Sequence, residues 1–440
     1  MHTTKENKLW LLIEESLIAN AQKPCISYKG VELSYSEVHK RVNLTTSFLF
    51  DKQVASIYNN CSNPIYFITL QLASIQLGIP SYFFQPKDKN VIVFDDNTIE
   101  FVFESFKTSV AIFSITNKEA YSFFFNSSGT TKSPHVVENS SLLFYNICKA
   151  IKTYKPMNDY LGRYENFLLC CPLNHSFGFS SLIEMLIYGV HICFPESFFI
   201  LDIIKEISRC EDNKINSILA SPFIVEKSIQ LLHGSFLPKI QHIGLGTDKP
   251  NKKLIEIIYT YNPQILLSNR YGLTELPSAI FVSNFKSKEV AMKNLFDIVL
   301  PLSIYKYEVL PIDKDEYELS ILNLLTNERI PTGDCVGYDK QNKLYLIGRN
   351  KDVIKYNGIR IDCVAVENIL NECKEIDDCL LYMRENKLIL EYVSKKQTVL
   401  NLPIKSFWRE NVSSEYYPDI YINVNNIHRT ITGKKQRRKE

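Results

Sequence analysis

The stretch VASIYNNCSNPIYFITLQLASIQLGIPSYFF, residues 54–84, decides the fold class. Its first seven residues, 54–60, have the apolar and aromatic composition of a buried strand. Residues 64–78 predict a helix that ends at Gly78, because glycine is favoured just beyond a helix C-terminus. Residues 79–84 predict a second strand. A strand, a helix and a strand in this order predict a β-α-β unit, so we expect an α/β fold with parallel strands.

The chain upstream of this stretch predicts a hairpin and a helix. Residues 26–50 contain two short alternating strands around Lys29-Gly30, followed by a helix from Ser34 to Leu49. Ser34 and Glu37 have the spacing of a capping box, which satisfies two backbone N–H groups at a helix start.

The chain downstream repeats the alternation of strands and helices. Residues 139–154 predict an amphipathic helix with Asn139 or Ser140 as its N-cap. Short apolar runs predict five more strands, at 166–173, 190–194, 216–222, 241–246 and 264–269. Several of these runs end in small or polar residues. In open α/β sheets the chemistry collects at such carboxyl strand ends, so we expect a site there.

The composition is that of an ordinary globular protein with more than one domain. The 440 residues are 45% hydrophobic and 22% charged. Lys and Arg number 50 against 48 Asp and Glu, so the net charge gives no reason to expect nucleic acid or a membrane surface as a partner. The last seven residues, KKQRRKE, are locally basic, and we expect a solvated tail there.

The sequence shows no sign of export, of a membrane span or of a zinc site. The N-terminus lacks the apolar core of a secretory signal. No uncharged apolar run reaches the ~18 residues that a membrane span needs. The 11 cysteines lack C-x-x-C spacing, so we expect reduced thiols in the core and no zinc. We therefore predict a cytoplasmic protein.

A change in sequence character near residue 348 predicts a domain boundary. The apolar strand KLYLIG ends there and a charged loop, RNKDVIKYNGIRID, follows. A helix then places Val366, Ile369, Leu370 and Cys373 on one face. Strands at 388–394 and 419–424 complete a small unit. We predict a large N-terminal α/β domain of several layers, residues 1–347, and a small mobile C-terminal α+β domain, residues 348–440.

A polar loop follows the aromatic strand at residues 123–125. The loop Ser127-Ser128-Gly129-Thr130-Thr131 offers hydroxyl and backbone N–H groups around a glycine, and such groups suit phosphate oxygens. Taken alone, a loop of this composition is more often an ordinary turn. It also lacks the lysine spacing of P-loop nucleotide triphosphatases.

Three later segments carry groups that suit the rest of a nucleotide. NRYGLTE (269–275) combines an aromatic face for a purine, a hydroxyl for phosphate and a carboxylate for Mg²⁺. PTGD (331–334) presents a carboxylate that can accept hydrogen bonds from ribose hydroxyls. RTITGKK (429–435) places a lysine after a glycine. Each segment alone is more often structural, so the combination carries the argument.

The order of these segments resembles one family. SSGTT, PLNHSFG, YGLTE, PTGD, GRNKDVIKYNGIRI and TITGKK resemble the adenylate-forming superfamily, and the resemblance runs from about residue 26 to 438. That superfamily includes acyl- and aryl-CoA synthetases, nonribosomal adenylation domains and luciferases. The resemblance implies ATP- and Mg²⁺-dependent activation of a small carboxylic acid to acyl-AMP, with release of pyrophosphate. It further implies transfer to a thiol, either CoA or the phosphopantetheine of an acyl, aryl or peptidyl carrier protein met in trans.

The resemblance assigns a nucleotide-binding set. The residues over the β- and γ-phosphates are Ser128, Gly129, Thr130, Thr131 and Lys132. Tyr271 stacks on adenine, with Asn269 near the exocyclic amine, although without the motif Tyr271 would serve equally as a core aromatic. Gly246 and Gly272 belong to the same site, and Asp334 holds the ribose together with Arg349.

The resemblance also assigns the catalytic groups. Lys434 bridges the substrate carboxylate and the α-phosphate, a role that suits a movable point charge. Thr274 contacts the α-phosphate and Glu275 holds Mg²⁺. Lys351 occupies the hinge position, about which the small domain turns to bring residues 356–361 to the site for thiol transfer.

The segment PLNHSFG indicates which class of acid the substrate pocket accepts. His175 matches the His-x-x-Gly of acyl- and aryl-CoA synthetases, where the histidine borders the substrate carboxylate. Amino-acid-activating domains place an aspartate close behind, to pair with the α-ammonium. Phe179 stands at that position here, and an unpaired buried ammonium would be costly. We expect an acyl or aryl acid, with an α-amino acid as the alternative.

The phosphate loop departs from the usual S-G-T-T-G-x-P-K pattern. Lys132 replaces a glycine and His135 replaces the lysine, while His428 replaces a proline near the C-terminus. The chain is also shorter than typical members, which implies a dedicated role such as secondary-metabolite biosynthesis. These departures keep a second hypothesis open, a catalytically degenerate relative that binds nucleotide or a partner without turnover.

Overall fold

The β-α-β unit predicted at residues 54–84 is confirmed in the computed structural model. Its two strands, Ile57–Asn59 and Ser81–Tyr82, pair in parallel, and the helix Pro64–Leu77 connects them. The Asn63 side chain caps the helix by accepting a hydrogen bond from the Ile65 backbone N–H. Gly78 ends it at φ 67°, in the left-handed region that favours glycine.

The structure describes residues 7–87, 90–105, 120–126, 135–313, 316–357, 359–395, 401–413, 416–430 and 433–437. These residues fall into two compact units. The first covers the described part of residues 1–127, 135–295 and 299–305, and the second covers that of 296–298 and 306–440. The domain boundary predicted at 348–351 lies inside the second unit. The mobility of residues 348–440 about this boundary stays a prediction.

The first unit alternates helices and strands along the chain. Its helices are α1 (Lys8–Ala19), α2 (Tyr35–Asp51), α3 (Pro64–Leu77), α4 (Asp96–Ser105), α5 (Ser141–Ile151), α6 (Lys155–Leu161), α7 (Ser176–Tyr188), α8 (Ile200–Ser208), α9 (Pro222–Leu232), α10 (Lys252–Tyr261) and α11 (Lys288–Asn294). Its strands are β1 (Pro24–Tyr28), β2 (Val31–Ser34), β3 (Ile57–Asn59), β4 (Ser81–Tyr82), β5 (Ile92–Phe94), β6 (Ser122–Asn126), β7 (Val136–Ser140), β8 (Asn166–Leu169), β9 (His191–Cys193), β10 (Ser217–Ala220), β11 (His242–Leu245), β12 (Leu266–Tyr271) and β13 (Phe281–Phe285).

These strands form two mixed sheets. The larger has the order β13-β12-β11-β10-β8-β9-β1-β2, and the smaller has the order β5-β3-β4-β6-β7. Parallel pairing runs from β12 through β11, β10, β8 and β9 to β1, whereas β13, β2 and β7 add antiparallel edges. The α/β prediction is therefore confirmed, and the carboxyl ends of β8, β10, β11 and β12 share one edge.

The helix caps predicted at Ser34 and at Ser140 are confirmed. Ser34 accepts a hydrogen bond from the Glu37 backbone N–H, and the Glu37 carboxylate accepts one from the Ser34 backbone N–H, so the capping box is complete. Ser140 caps α5, while Asn139 belongs to β7. The five strands predicted between residues 166 and 269 all exist. Four are shorter than predicted, and β12 is shifted by two residues toward the C-terminus.

The core of the first unit contains an aromatic cluster around Phe179. This side chain is fully buried on α7 and lies against four rings: Phe83, Phe123, Phe125 and Phe144. Edge-to-face and tilted contacts of this kind add to the burial of apolar area. The cluster fixes α7 against β6 and α5.

The second unit combines three antiparallel or mixed sheets with two helices. Its elements are β14 (Tyr305–Asp313), β15 (Glu316–Asn323), β16 (Glu328–Tyr338), β17 (Leu344–Arg349), β18 (Val353–Tyr356), β19 (Ile359–Asp362), α12 (Cys363–Leu370), β20 (Ile376–Arg384), β21 (Lys387–Ser394), α13 (Asn401–Asn411) and β22 (Ile420–Asn423). The sheets are β14-β15-β16-β17, the hairpin β18-β19, and β20-β21-β22. Trp408 on α13 is fully buried in the core over the last sheet.

Candidate active site

The end of β12 and the loop after it lie at the carboxyl edge of the parallel strands. Leu245 on β11 pairs with Asn269 on β12, so Gly246 and Tyr271 follow at the same edge. The Asn269 side-chain amide donates a hydrogen bond to the Leu295 carbonyl at 3.0 Å, which leaves its oxygen as the side able to accept from an amine. Tyr271 is half-buried, with its ring 5.3 Å from that of Phe281.

The start of α7 meets the same edge. His175 occupies the N-cap position of α7 and is half-buried. A Cβ on Gly246 would overlap the Phe177 ring, so the end of β11 and the first turn of α7 are in contact. A Cβ on Gly178 would overlap the Pro172 carbonyl oxygen. The glycine of the His-x-x-Gly segment is therefore needed for close packing of the helix on the preceding loop.

The predicted phosphate loop falls outside the described residues, which excludes Ser128, Gly129, Thr130, Thr131 and Lys132 from structural description. The strands on either side of it are described. β6 and β7 pair in antiparallel fashion up to Asn126 opposite Val136.

The strand after this loop is joined to the YGLTE segment. The Asn139 side-chain amide on β7 donates a hydrogen bond to the Thr274 carbonyl at 2.9 Å. His135 Nε2 lies 3.7 Å from Glu275 Oε1, with the two side chains 66% and 40% exposed. A half-exposed carboxylate beside other polar groups is an oxygen ligand of the kind that Mg²⁺ takes together with substrate phosphates. The residues present therefore fit the expected metal at Glu275.

The YGLTE segment needs its glycine for a close backbone contact. A Cβ on Gly272 would overlap the carbonyl oxygen of Ser278. Ser278 itself has φ +77°, a left-handed conformation that few non-glycine residues adopt. The segment between β12 and β13 is thus folded tightly back on itself, which presents Thr274 and Glu275 at its bend.

A buried ion pair beneath this segment was missed by the sequence analysis. Arg270 Nη2 lies 2.6 Å from Glu184 Oε2, with the side chains 1% and 2% exposed. The Ser278 hydroxyl donates to the other oxygen of Glu184. Burial lowers the pKa of Arg270, but the Glu184 carboxylate, together with Tyr160 and Cys171, raises it above its ordinary value overall. The sequence did carry a signal for this pair, because Arg270 on β12 and Glu184 on α7 are each a lone charge in an otherwise apolar element.

A hydrogen-bonded histidine lies beside this ion pair. His242 on β11 is fully buried between the hydroxyls of Ser217 and Ser268, at 2.6 and 2.9 Å. Burial, and secondarily the Arg270 guanidinium, lower the pKa of His242 to about 3. The ring is therefore neutral at physiological pH and acts as a structural bridge between strands.

Asp334 and Arg349 meet in the second unit. They face each other on β16 and β17, and Arg349 Nε lies 2.9 Å from Asp334 Oδ1. The Asp334 side chain is 4% exposed and that of Arg349 is 32% exposed. The predicted ribose-binding carboxylate and its predicted arginine partner are thus brought together by strand register.

The hairpin β18-β19 carries the segment predicted for thiol transfer. Tyr356 at its end is buried, and its hydroxyl donates to Asp419 Oδ1 at 3.0 Å. Asp419 Oδ2 accepts a hydrogen bond from the Leu388 backbone N–H. The turn end of the hairpin is therefore anchored to the sheet β20-β21-β22.

The expectation of a solvated basic tail was wrong for the described residues. The Lys435 and Arg437 side chains are 15% and 10% exposed and form ion pairs with carboxylates of the second unit. The backbone N–H of Lys434 donates to Thr430 Oγ1 at 3.1 Å, and the Lys434 side chain is half-buried. The Lys435 and Arg437 side chains can be buried because each of them pairs with carboxylates.

Neither a metal cluster nor a membrane helix was found in the part of the chain that the structure covers. Within it, no group of three or more His, Cys, Asp or Glu residues could hold a metal ion by itself. No helix among the described residues is long and apolar enough to cross a membrane.

Comparisons with known proteins agree with this geometry. A model of the AMP-binding enzyme family matches residues 84–303, half of the chain. The 2-succinylbenzoate–CoA ligase of Listeria innocua is 22% identical over 301 residues, 64% of this chain and 62% of the ligase. The 4-coumarate–CoA ligase-like 6 of Arabidopsis thaliana is 21% identical over 305 residues, 63% of this chain and 54% of its own. The matched segment thus spans less than two thirds of these curated relatives.

A solved structure shares the fold over nearly its whole length. The O-succinylbenzoate coenzyme A synthetase of Bacillus subtilis, in complex with AMP, aligns with a TM-score of 0.78 at 18% identity. The alignment covers 97% of this chain and 97% of that one. A likeness at this identity establishes the architecture of both units.

Proposed function

The chain belongs to the AMP-binding enzyme family, and from this premise we propose that it is an adenylate-forming acid–thiol ligase. The carboxylate oxygen of an acid attacks the α-phosphorus of ATP, the bond to pyrophosphate breaks, and acyl-AMP forms. A thiol sulfur then attacks the acyl carbon and AMP leaves. Chemistry of this kind depends on positioning and on neutralising charge more than on covalent help from the protein.

One observation carries the proposal. The strand after the SSGTT loop is joined to the YGLTE segment by the bond from Asn139 to the Thr274 carbonyl, and His135 faces Glu275 at 3.7 Å. Residues that directly follow the loop predicted for phosphate thus meet the segment predicted for Mg²⁺, about 140 residues further along the chain, beyond the carboxyl end of β12.

We assign the nucleotide to this edge. Tyr271 offers a face for adenine and the Asn269 amide oxygen accepts from its amine, while Thr274 donates to the α-phosphate. Glu275 holds Mg²⁺, which supplies neutralisation of the phosphate charge when bound. His135 stands where relatives have a lysine, and its ring faces Glu275 at 3.7 Å.

The second unit supplies the remaining groups in this proposal. The Asp334 carboxylate accepts hydrogen bonds from the ribose hydroxyls, and Arg349, 2.9 Å away, orients that carboxylate. Lys434 supplies the positive charge between the substrate carboxylate and the α-phosphate. Residues 356–361 serve the thiol-transfer step, with Lys351 as the hinge.

The substrate class follows from α7. Phe179, at the position where amino-acid-activating relatives carry an aspartate, is fully buried among other aromatic rings. Phe179 itself offers an α-ammonium no carboxylate to pair with, so an uncharged acyl or aryl acid fits better than an α-amino acid. One curated relative named above is a 2-succinylbenzoate–CoA ligase and the other is a 4-coumarate–CoA ligase-like protein, which favours an aryl acid and CoA as the thiol.

Separating the two half-reactions tests the proposal. Adenylate formation is followed by mass spectrometry of acyl-AMP with ATP, Mg²⁺ and acid, and thiol transfer by adding CoA to supplied acyl-AMP. Lys434→Ala should abolish the first and largely preserve the second. Equal loss of both would contradict the assignment of Lys434. An inactive wild-type protein that still binds ATP would favour the degenerate relative and point to Lys132 and His135.

A further inference from the structure

Three carboxylates hold the last described residues of the chain, and we call them the tail clamp: Asp352, Glu367 and Asp378. Glu367 Oε1 lies 2.7 Å from Arg437 Nη2, and Glu367 Oε2 lies 3.3 Å from Lys435 Nζ. Asp378 Oδ1 lies 2.9 Å from Lys435 Nζ. Asp352 Oδ1 lies 3.1 Å from Arg437 Nη1. Both tail cations are therefore held by two carboxylates each.

The tail clamp is buried and its charges are matched. The Glu367 side chain is only 4% exposed, and its Oε1 also accepts a hydrogen bond from the Leu381 backbone N–H on β20. Burial alone would lower the pKa of Lys435, but Glu367 and other acidic groups raise it above its ordinary value. Because a buried charge is costly without its partner, the geometry of the tail is fixed by α12 and β20.

The tail clamp also reaches the backbone on both sides of Lys434. Arg429 pairs with Asp378 through Nη2, and its Nη1 donates to the Gly433 carbonyl at 2.7 Å. The Thr430 backbone N–H donates to the Lys434 carbonyl at 2.8 Å. The Gly433 carbonyl is thus linked to Asp378 through Arg429, and the Lys435 side chain pairs with Asp378 directly. The hydrogen bonds that fix the backbone around Lys434 restrict the positions that its side-chain ammonium can reach.

We propose that the tail clamp, through Glu367 and its ion pairs with Lys435 and Arg437, positions Lys434 for adenylate formation. Glu367 is a positioning residue, since it acts on the reaction through Lys434. The inference rests on the proposed function. One member, Asp352, belongs to the 3₁₀ turn Asn350–Asp352 that contains the predicted hinge, so the tail clamp ties the tail to the segment about which the small domain is expected to turn.

The test measures both half-reactions in the full-length protein. Glu367→Gln should slow acyl-AMP formation on the order of 10- to 100-fold, because displacing a catalytic group by ~1 Å costs about 10²-fold. Transfer from supplied acyl-AMP to CoA should stay near the wild-type rate. Arg437→Met should reproduce the defect, and Arg437→Lys, which keeps the charge, should recover part of it.

A matched variant controls for stability. Glu391→Gln makes the same substitution in the same unit, at a carboxylate that accepts from the Tyr382 hydroxyl at 2.8 Å. It should leave both half-reactions and the Tm close to wild type. Arg437→Lys keeps a positive charge beside Asp352 and Glu367, so it should fold even if Glu367→Gln does not.

The outcomes separate the inference from the proposed function. Wild-type acyl-AMP formation in both Glu367→Gln and Arg437→Met, with Lys434→Ala inactive, overturns the positioning role alone. Equal loss of both half-reactions with a lowered Tm also overturns it, since that is the signature of a purely structural role. An unaffected Lys434→Ala overturns the assigned role of Lys434 and the inference with it.

Discussion

Removal of the buried carboxylate Glu184 should strongly destabilise the first unit. Glu184→Gln keeps the size of the side chain but removes its charge, which leaves the Arg270 guanidinium buried at 1% exposure without a counter-ion. Among the described residues no acceptor reaches Arg270 Nε or Nη1, so no second carboxylate can compensate. Breaking a buried ion pair in this way costs about 3–5 kcal/mol. We expect a loss of that size in the free energy of unfolding.

Urea unfolding followed by tryptophan fluorescence measures this loss. In a Trp408→Phe background the signal comes from Trp10, which is fully buried in the first unit and is the other of the chain's 2 tryptophans. Arg270→Met combined with Glu184→Gln should recover at least half of the loss, because it removes the uncompensated charge. The control Glu256→Gln breaks the exposed ion pair with Lys288 and should leave the midpoint nearly unchanged. A loss in Glu184→Gln no larger than in this control would refute the reasoning.

Three further predictions follow from the site. Gly178→Ala should cost about 1–3 kcal/mol of stability, because its Cβ would overlap the Pro172 carbonyl oxygen; an unchanged Tm would contradict this packing. Burial depresses the pKa of His242 in the folded protein to about 3, against about 6.5 in the unfolded chain. The unfolded chain therefore binds an extra proton as pH falls below about 6.5, and the free energy of unfolding decreases by at most ~1.4 kcal/mol per pH unit. His242→Asn should flatten that part of the stability–pH curve, and an identical slope would show that His242 titrates normally. Asp334→Asn should weaken ATP binding about 10- to 100-fold in calorimetry, the worth of charged hydrogen bonds, with little effect on acid binding; unaltered ATP affinity would remove Asp334 from the site.

The sequence was most informative where structure is local. The β-α-β unit at 54–84 followed from periodicity and from Gly78, and the capping box followed from the spacing of Ser34 and Glu37. Both depend on interactions within a few residues. The order of the motifs likewise indicated the family before any contact was known, because each motif is short and contiguous.

Long-range ion pairs could not be predicted in the same way. Arg270 and Glu184 are 86 residues apart, and Arg437 and Glu367 are 70 apart. A lone charge in an apolar element shows that a partner is required but does not identify it. The tail appeared solvated because its own sequence is basic. Its carboxylate partners lie on α12 and β20, which only tertiary folding brings to it.

Acid-dependent release of pyrophosphate tests the central claim most directly. The protein is incubated with ATP and Mg²⁺, without any thiol, across a panel of aryl, aliphatic and amino acids. We predict release with aryl or acyl acids, which falls on substitution of Lys434 or Glu275, and no release with α-amino acids. Release with an α-amino acid alone would contradict the substrate class drawn from Phe179. ATP binding with no release across the whole panel would contradict the proposed ligase activity.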